Sequence, residues 1–225
     1  MKISVITLFP EMFSSPFNSS IIKRAVEKGL VELEFIDIRD FGIGKHKLVD
    51  DTPYGGGAGM VLRVDVLFDA IEKAKDKKYK KSEEKIILLT ASGKTFNQKT
   101  AKRYSKLKHL ILVCGHYEGV DERIIKYLDE QVSIGDFVLT GGEIPAMLIV
   151  DSVVRLIKGV ITDKSLANES FGLLLEHPQY TKPSVYKGAK VPDVLISGNH
   201  AKIDAWKKEQ SLKLTQKVRP DLIKK

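Results

Sequence analysis

Apolar and polar positions alternate along this chain in two rhythms. Short apolar runs at Lys2 to Leu8, Leu33 to Ile38, Ile86 to Leu89, Leu110 to Cys114 and Val132 to Ile134 have the length and residue types of strands. Between them, Asn18 to Lys28, Val64 to Lys75, Phe96 to Leu107 and Asp121 to Leu128 fit a helical period, with Asn18, Thr95 and Asp121 placed as caps. Strands alternating with helices predict an α/β fold built on a largely parallel sheet. Three strands end in glycine-marked loops: Thr90-Ala91-Ser92-Gly93, Gly115-His116-Tyr117-Glu118-Gly119, and Gly135 through Leu139-Thr140-Gly141-Gly142. One such loop reads as an ordinary turn. Three close together predict a pocket, because ligands of open α/β sheets sit beyond the carboxyl ends of the strands and glycine lets main-chain groups approach them.

Further along, Ile144 to Val160 is apolar nearly all round, so that helix is buried on more than one side, inside the domain or against a second subunit. Thr162 to Ser170 is polar and unpatterned, as expected of a linker or lid. Pro178, Pro183 and Pro192 then interrupt regular structure until Asn199 caps a last helix carrying Ala201, Ala205, Trp206, Leu212 and Leu214. The expected organisation is a main domain over 1–160, a flexible linker or lid over 161–175, and a small helical domain over 176–225. The last is too small for an independent core and needs something to dock against.

The chain's 225 residues and 43% hydrophobic content suit a globular protein with a real core. No apolar run reaches the roughly 18 residues of a membrane span, and Met1 to Phe9 reads as a first strand rather than a leader, so a cytoplasmic protein without membrane contact is expected. Cys114 is the only cysteine, which leaves no intrachain disulfide and favours a packed thiol among its apolar neighbours. The net charge of +8 is unevenly spread: residues 73–108 carry 13 basic and 3 acidic groups, and 198–225 carry 8 and 3. Such clusters suit a polyanion, most often nucleic acid, although a lysine-rich solvated surface gives the same count.

Candidate chemistry is sparse outside the loops. Gly93-Lys94-Thr95 resembles the end of a phosphate-binding P-loop, but Leu88 stands where the first glycine is required, so nucleotide hydrolysis is a rival reading only. His46, His109, His116, His177 and His200 are scattered without metal-ligand spacing, and no metal site is expected. Asp50-Asp51-Thr52-Pro53-Tyr54-Gly55-Gly56-Gly57-Ala58-Gly59-Met60 combines four glycines with paired carboxylates and a tyrosine; it reads equally as a loop that closes over a ligand and as an exposed turn. Arg155, Asp163 and Glu169 lie at or near the lid, where a charged side chain is usually just solvated.

Together with Cys114 to Arg123, Ser133 to Met147 and Val191 to His200, that glycine-rich stretch closely resembles the bacterial tRNA (guanine-N1-)-methyltransferases, and the similarity spans essentially the whole chain. The resemblance implies the SPOUT fold, an α/β domain with a C-terminal trefoil knot followed by a small helical domain, in a homodimer with shared active sites. Chain periodicity could not have suggested the knot, since threaded connections are rare. It also implies S-adenosyl-L-methionine as methyl donor, held by Thr90, Ala91, Gly115, Tyr117, Glu118, Gly119, Ser133, Ile134, Gly135, Leu139, Thr140, Gly141 and Gly142, with a magnesium ion as a possible accessory. The acceptor it implies is N1 of the guanine immediately 3′ of the tRNA anticodon. Glu169 would be the general base for that nitrogen, in place of the family's aspartate, and Arg155 would stabilise charge on the guanine O6. Asp50, Asp51, Tyr54, Gly55, Gly57 and Gly59 would hold the nucleotide. His177, Tyr180, Ser197, Asn199, His200, Lys207 and Lys208 would face the tRNA. Departures from the family pattern include Ala91 for a proline, Gln179 and Lys182 in a His-Tyr-Thr-Arg-Pro stretch, and Leu214 and Gln216 in the basic last helix. A non-catalytic RNA-binding protein is the other alternative.

Overall fold

The computed structural model describes residues 1–162, 170–171 and 174–223. The chain divides into two compact units, Met1–Ile161 and Thr162–Lys225.

The strands of the first unit are β1 (Lys2–Thr7), β2 (Glu32–Asp37), β3 (Asp50–Asp51), β4 (Val61–Leu62), β5 (Glu84–Thr95), β6 (His109–Cys114) and β7 (Glu130–Ser133). Its helices are α1 (Ser14–Phe17), α2 (Ser20–Glu27), α3 (Val64–Ala74), α4 (Gln98–Tyr104) and α5 (Glu143–Val154). Five strands form one sheet in the order β2-β1-β6-β5-β7, every pairing parallel. Strand alternation sends side chains to opposite faces, and the core divides accordingly. Ile3, Val5, Leu110, Leu112, Ile87 and Leu89 pack with residues of α2, α4 and α5; Ile6, Ile111, Val113, Ile86 and Leu88 pack with α3. Central β6 is buried at every position, as expected of a parallel strand covered on both faces.

Several local expectations are corrected. Asn18 ends α1, and Ser19 is the residue that precedes α2 in extended conformation. Thr95 does not cap a helix, because β5 continues through it; Asn97 caps the shorter α4, its side chain accepting from the Thr100 N–H at 3.0 Å. Asp121 does act as a cap, accepting from the Arg123 N–H at 2.9 Å, but it opens a 3-10 turn, Glu122–Tyr127, rather than an α-helix. The apolar helix α5 buries Ala146, Ile149, Val150, Val153 and Val154 against the sheet, while Ile144 and Leu148 remain 50% and 41% exposed.

The loop expected after Ile86 to Leu89 is an excursion within β5. Leu89 pairs with Val132, the ladder breaks, and Lys94 pairs with the same Val132. Thr90 to Gly93 therefore bulge out of the sheet at the strand end. This removes the P-loop reading, since Gly93-Lys94-Thr95 lies on the strand and a Cβ on Gly93 would sit 2.4 Å from the Val132 nitrogen. No phosphate cradle between strand and helix exists there.

The second unit contains a hairpin of β8 (Val185–Tyr186) and β9 (Ala189–Lys190), and the helices α6 (Asp193–Ile196) and α7 (His200–Val218). Asn199 caps α7 as expected, accepting from the Lys202 N–H at 3.1 Å. Thr215 is the buried polar anchor of α7: its hydroxyl oxygen accepts from the Leu175 N–H at 2.9 Å and donates to the Ser211 carbonyl at 2.6 Å.

Candidate functional site

The carboxyl ends of β5, β6 and β7 open into one cleft, walled by the Thr90 bulge, the loop from Gly115 to Val120, and the segments around Ser133–Ile134 and Phe137–Gly142. Main-chain contacts hold these walls together. The Gly142 N–H donates to the Gly115 carbonyl at 2.8 Å, and His116 and Gly141 form an antiparallel bridge. The approach is too close for side chains: a Cβ on Gly142 would lie 2.6 Å from the Cys114 Cα, and one on Gly141 would lie 2.3 Å from a Glu143 carboxylate oxygen. Tyr117 turns the intervening loop at φ +58°, a left-handed conformation uncommon outside glycine and compatible with a functional constraint.

The glycine-rich stretch is fastened to this loop. β3 and β4 pair antiparallel and bracket it, with Asp50 opposite Leu62 and Asp51 opposite Val61. The Glu118 N–H donates to the Met60 carbonyl, the Leu62 N–H to the Gly119 carbonyl and the Asp121 N–H to the Leu62 carbonyl, each at 3.0 Å. Burial and a hydrogen bond to Asp50 push the Tyr117 phenol above its usual range. Arg63 steadies Asp51 through an ion pair at 3.2 Å. Tyr54 is fully exposed at the tip. The sequence left this stretch evenly balanced between a ligand loop and a turn; the ties at Met60 and Leu62 put it beside the cleft.

Beneath the cleft lies a buried polar group that the sequence reading missed. The Thr7 hydroxyl, at the end of β1, donates to Glu143 Oε1 at 2.8 Å and accepts from the Phe9 N–H at 3.0 Å. Burial, assisted by the neighbouring Glu143, pushes the Cys114 thiol well above its usual range, so Cys114 is a packed thiol and not a nucleophile. Glu143 stood within a quoted motif, but an acid after two glycines carries no signal of burial.

Twelve of the thirteen expected cofactor residues line the cleft: Thr90, Ala91, Gly115, Tyr117, Glu118, Gly119, Ser133, Ile134, Leu139, Thr140, Gly141 and Gly142. Gly135 does not line it; it supports the wall instead, its carbonyl accepting from the Ser133 hydroxyl at 2.9 Å. His116, Phe137, Val138 and Pro145 also line the cleft and had not been singled out as site residues. Arg155 is half-buried at the C-terminal end of α5, the end opposite the cleft. Glu169 and Asp163 lie outside the described residues. In the second unit, the His177 and Tyr180 rings stand 6.4 and 6.2 Å from that of Trp206, Ser197 ends α6, Asn199 caps α7, and His200, Lys207 and Lys208 lie on α7. Among the described residues, no three His, Cys, Asp or Glu side chains converge to hold a metal, and no helix is long and apolar enough to cross a membrane.

The described residues define an α/β protein with a parallel sheet and a main-chain-walled cleft at its strand ends. The chain belongs to the tRNA (Guanine-1)-methyltransferase TrmD family, whose model matches residues 1–225. It is similar to tRNA (guanine-N(1)-)-methyltransferases of Clostridium botulinum (54% identical), Dictyoglomus turgidum (52%) and Listeria innocua (51%). Each alignment takes in 100% of this chain, and 92%, 91% and 92% of the respective relative.

Proposed function

We propose that this protein transfers a methyl group from S-adenosyl-L-methionine to N1 of the guanine immediately 3′ of the anticodon in tRNA. The observation that carries the reading is the cleft itself. Its walls are main-chain N–H and C=O groups brought together at Gly115, Gly141 and Gly142, with apolar surface from Phe137, Leu139 and Pro145. That combination suits an adenine edge and a methionine chain, and Gly142 lets the two loops meet where a Cβ would collide with Cys114. When bound, S-adenosyl-L-methionine supplies the electrophilic methyl group. Guanine N1 carries a proton that must leave as the methyl arrives; Glu169 takes it, and Arg155 offsets the charge developing on O6. Asp50, Asp51 and the Tyr54 to Gly59 loop hold the nucleotide, while Lys207 and Lys208 contact tRNA phosphates. The described residues offer no three-ligand group for a magnesium ion, and no step is assigned to one.

In this reading the working unit is a homodimer. α5 is 12 residues long, which separates Arg155 from the cleft at the helix's other end by about 18 Å, beyond the reach of its side chain. A partner subunit supplying Arg155, Glu169 and the C-terminal unit removes that separation, and exposed Ile144, Leu148, Phe137 and Val138 offer an apolar surface for the contact. The SPOUT knot belongs to the same reading, supported by the mutual tie of the Gly115 and Gly142 loops.

Radiolabelled methyl transfer to unmodified tRNA is the direct test. Incorporation at the guanine 3′ of the anticodon is expected. Retention of tRNA without incorporation would instead mark an RNA-binding protein, and calorimetric binding of ATP without S-adenosyl-L-methionine would return the nucleotide-hydrolase reading. Glu169→Ala is expected to abolish transfer while donor affinity holds; undiminished turnover would exclude Glu169 as the base.

A further inference from the structure

The carboxylate of Glu143 is only 3% exposed, and among the described residues no Lys, Arg or His forms an ion pair with it. A buried charge without a partner is costly to fold around, so the residue calls for an explanation. Two features offset part of that cost: the Thr7 hydroxyl donates to Oε1 at 2.8 Å, and Glu143 is the first residue of α5, where the helix dipole favours an anion. Neither neutralises it. The other oxygen, Oε2, points at the cleft wall, 2.3 Å from where a Cβ of Gly141 would stand. Gly141 and its neighbour Gly142 line the cleft directly. The net effect is a negative charge held immediately behind the main-chain wall at Gly141, where the neighbouring side chain is the His116 ring, its Nε2 3.1 Å from the same Cβ position.

If the cleft holds S-adenosyl-L-methionine, on which reading this inference rests, the two ligands it meets in one turnover differ by one charge. The methyl donor carries a sulfonium cation, and the thioether left after transfer is neutral at sulfur. We propose that Glu143 is the charge by which the cleft discriminates between them, attracting the cationic donor and relinquishing the neutral product. Thr7 holds the carboxylate in place from behind. Main-chain atoms read the parts that donor and product share, and Glu143 reads the part that changes.

The test is calorimetric titration of the full chain with S-adenosylmethionine and, separately, with S-adenosylhomocysteine, for the parent, Glu143→Gln and Glu143→Asp. Glutamine keeps the shape and the hydrogen bond to Thr7 but removes the charge. In Glu143→Gln the donor is expected to bind on the order of ten-fold more weakly, as suits loss of a full charge at a partly desolvated site, while affinity for the thioether changes by less than about two-fold. Glu143→Asp retains the charge but sets it back by one methylene, and is expected to show a donor-to-product preference between those of Glu143→Gln and the parent, measurably below the parent's. Equal weakening of both ligands by Gln, or of neither, would overturn the proposal and leave the cleft assignment standing. Failure of the parent chain to bind either ligand would overturn the cleft assignment and the proposal with it. Thermal unfolding without ligand establishes that each variant is folded. Should Glu143→Gln not fold, Glu143→Asp decides: withdrawing the charge by one methylene must lower the donor-to-product preference measurably, and an unchanged preference overturns the proposal.

Discussion

A single methyl group is enough to probe the cleft wall. In Gly142→Ala the new Cβ would fall 2.6 Å from the Cys114 Cα and 2.9 Å from the Gly115 nitrogen, so the loops after β6 and β7 must separate. Overpacking of this kind costs about 1–3 kcal/mol, and donor affinity is expected to fall on the order of ten-fold or more; denaturant unfolding and calorimetry measure the two effects. A second residue-scale prediction concerns Glu130, which forms two bonds with the Arg103 guanidinium and accepts from the Tyr104 hydroxyl at 2.9 Å. The hydrogen bonds from Arg103 hold its carboxyl below the ordinary value of 4.5 despite partial burial. A depressed folded value means that the unfolded chain takes up the proton first. The stabilisation is therefore complete above about pH 4.5 and is lost as pH falls through the folded value. Glu130→Gln is expected to lose about 0.5–1 kcal/mol at neutral pH, as suits a largely solvent-screened pair, and to show a flatter decline of melting temperature on acidification than the parent; an equally steep decline would contradict the assignment. Chemistry at this scale was legible only where residue type is decisive. Cys114 could be read as packed from its apolar neighbours, whereas the burial of Glu143 depends on Thr7, which is 136 positions away along the chain.

Elements were legible where one period dominates. The five strands of the sheet and helices α2, α3 and α5 fall within or close to the runs read from apolar spacing. The errors have a common physical source: local composition was asked to decide what long-range pairing decides. Thr90 to Gly93 has the composition of a turn, yet β5 resumes beyond it because Val132 on β7 supplies backbone partners on both sides of the excursion. That pairing carries the chain through Thr95 and passes the capping role to Asn97. Asn97→Ala removes the acceptor for the Thr100 N–H and is expected to cost about 1 kcal/mol, read as a shift in denaturation midpoint with unchanged slope. Thr95→Ala should not reproduce that loss of a cap, because Thr95 lies on the strand. Likewise, Asp121 to Leu128 contains an apolar spacing that suits a helix, but its cap opens only a 3-10 turn before β7 begins at Glu130.

At the scale of the whole molecule, the apolar helix α5 poses a question that one chain cannot answer. Its character all round predicted burial on more than one side, yet Ile144 and Leu148 face outward here. Its two ends also carry different parts of the proposed chemistry, the cleft at Glu143 and Arg155 at the other, about 18 Å apart at the rise of an α-helix. A shared-site dimer accounts for both facts, and it makes a prediction that a single-chain site does not. Gly142→Ala damages a cleft and leaves Arg155 intact; Arg155→Ala does the reverse. With donor limiting, each variant alone is expected to keep about a tenth or less of the parental rate of methyl transfer to tRNA. Suppose the two are co-expressed with different affinity tags and the hybrid is purified through both tags. If clefts are completed by the partner, one site of the hybrid combines both lesions, and the other combines an intact cleft with an intact Arg155. The hybrid should then recover about half the parental rate, as a two-fold dimer with one working site requires. If each chain completed its own site, both sites of the hybrid would carry a lesion and the preparation would stay at the low rate of the single variants, which would remove the shared-site arrangement while leaving the cleft and its ligand untouched.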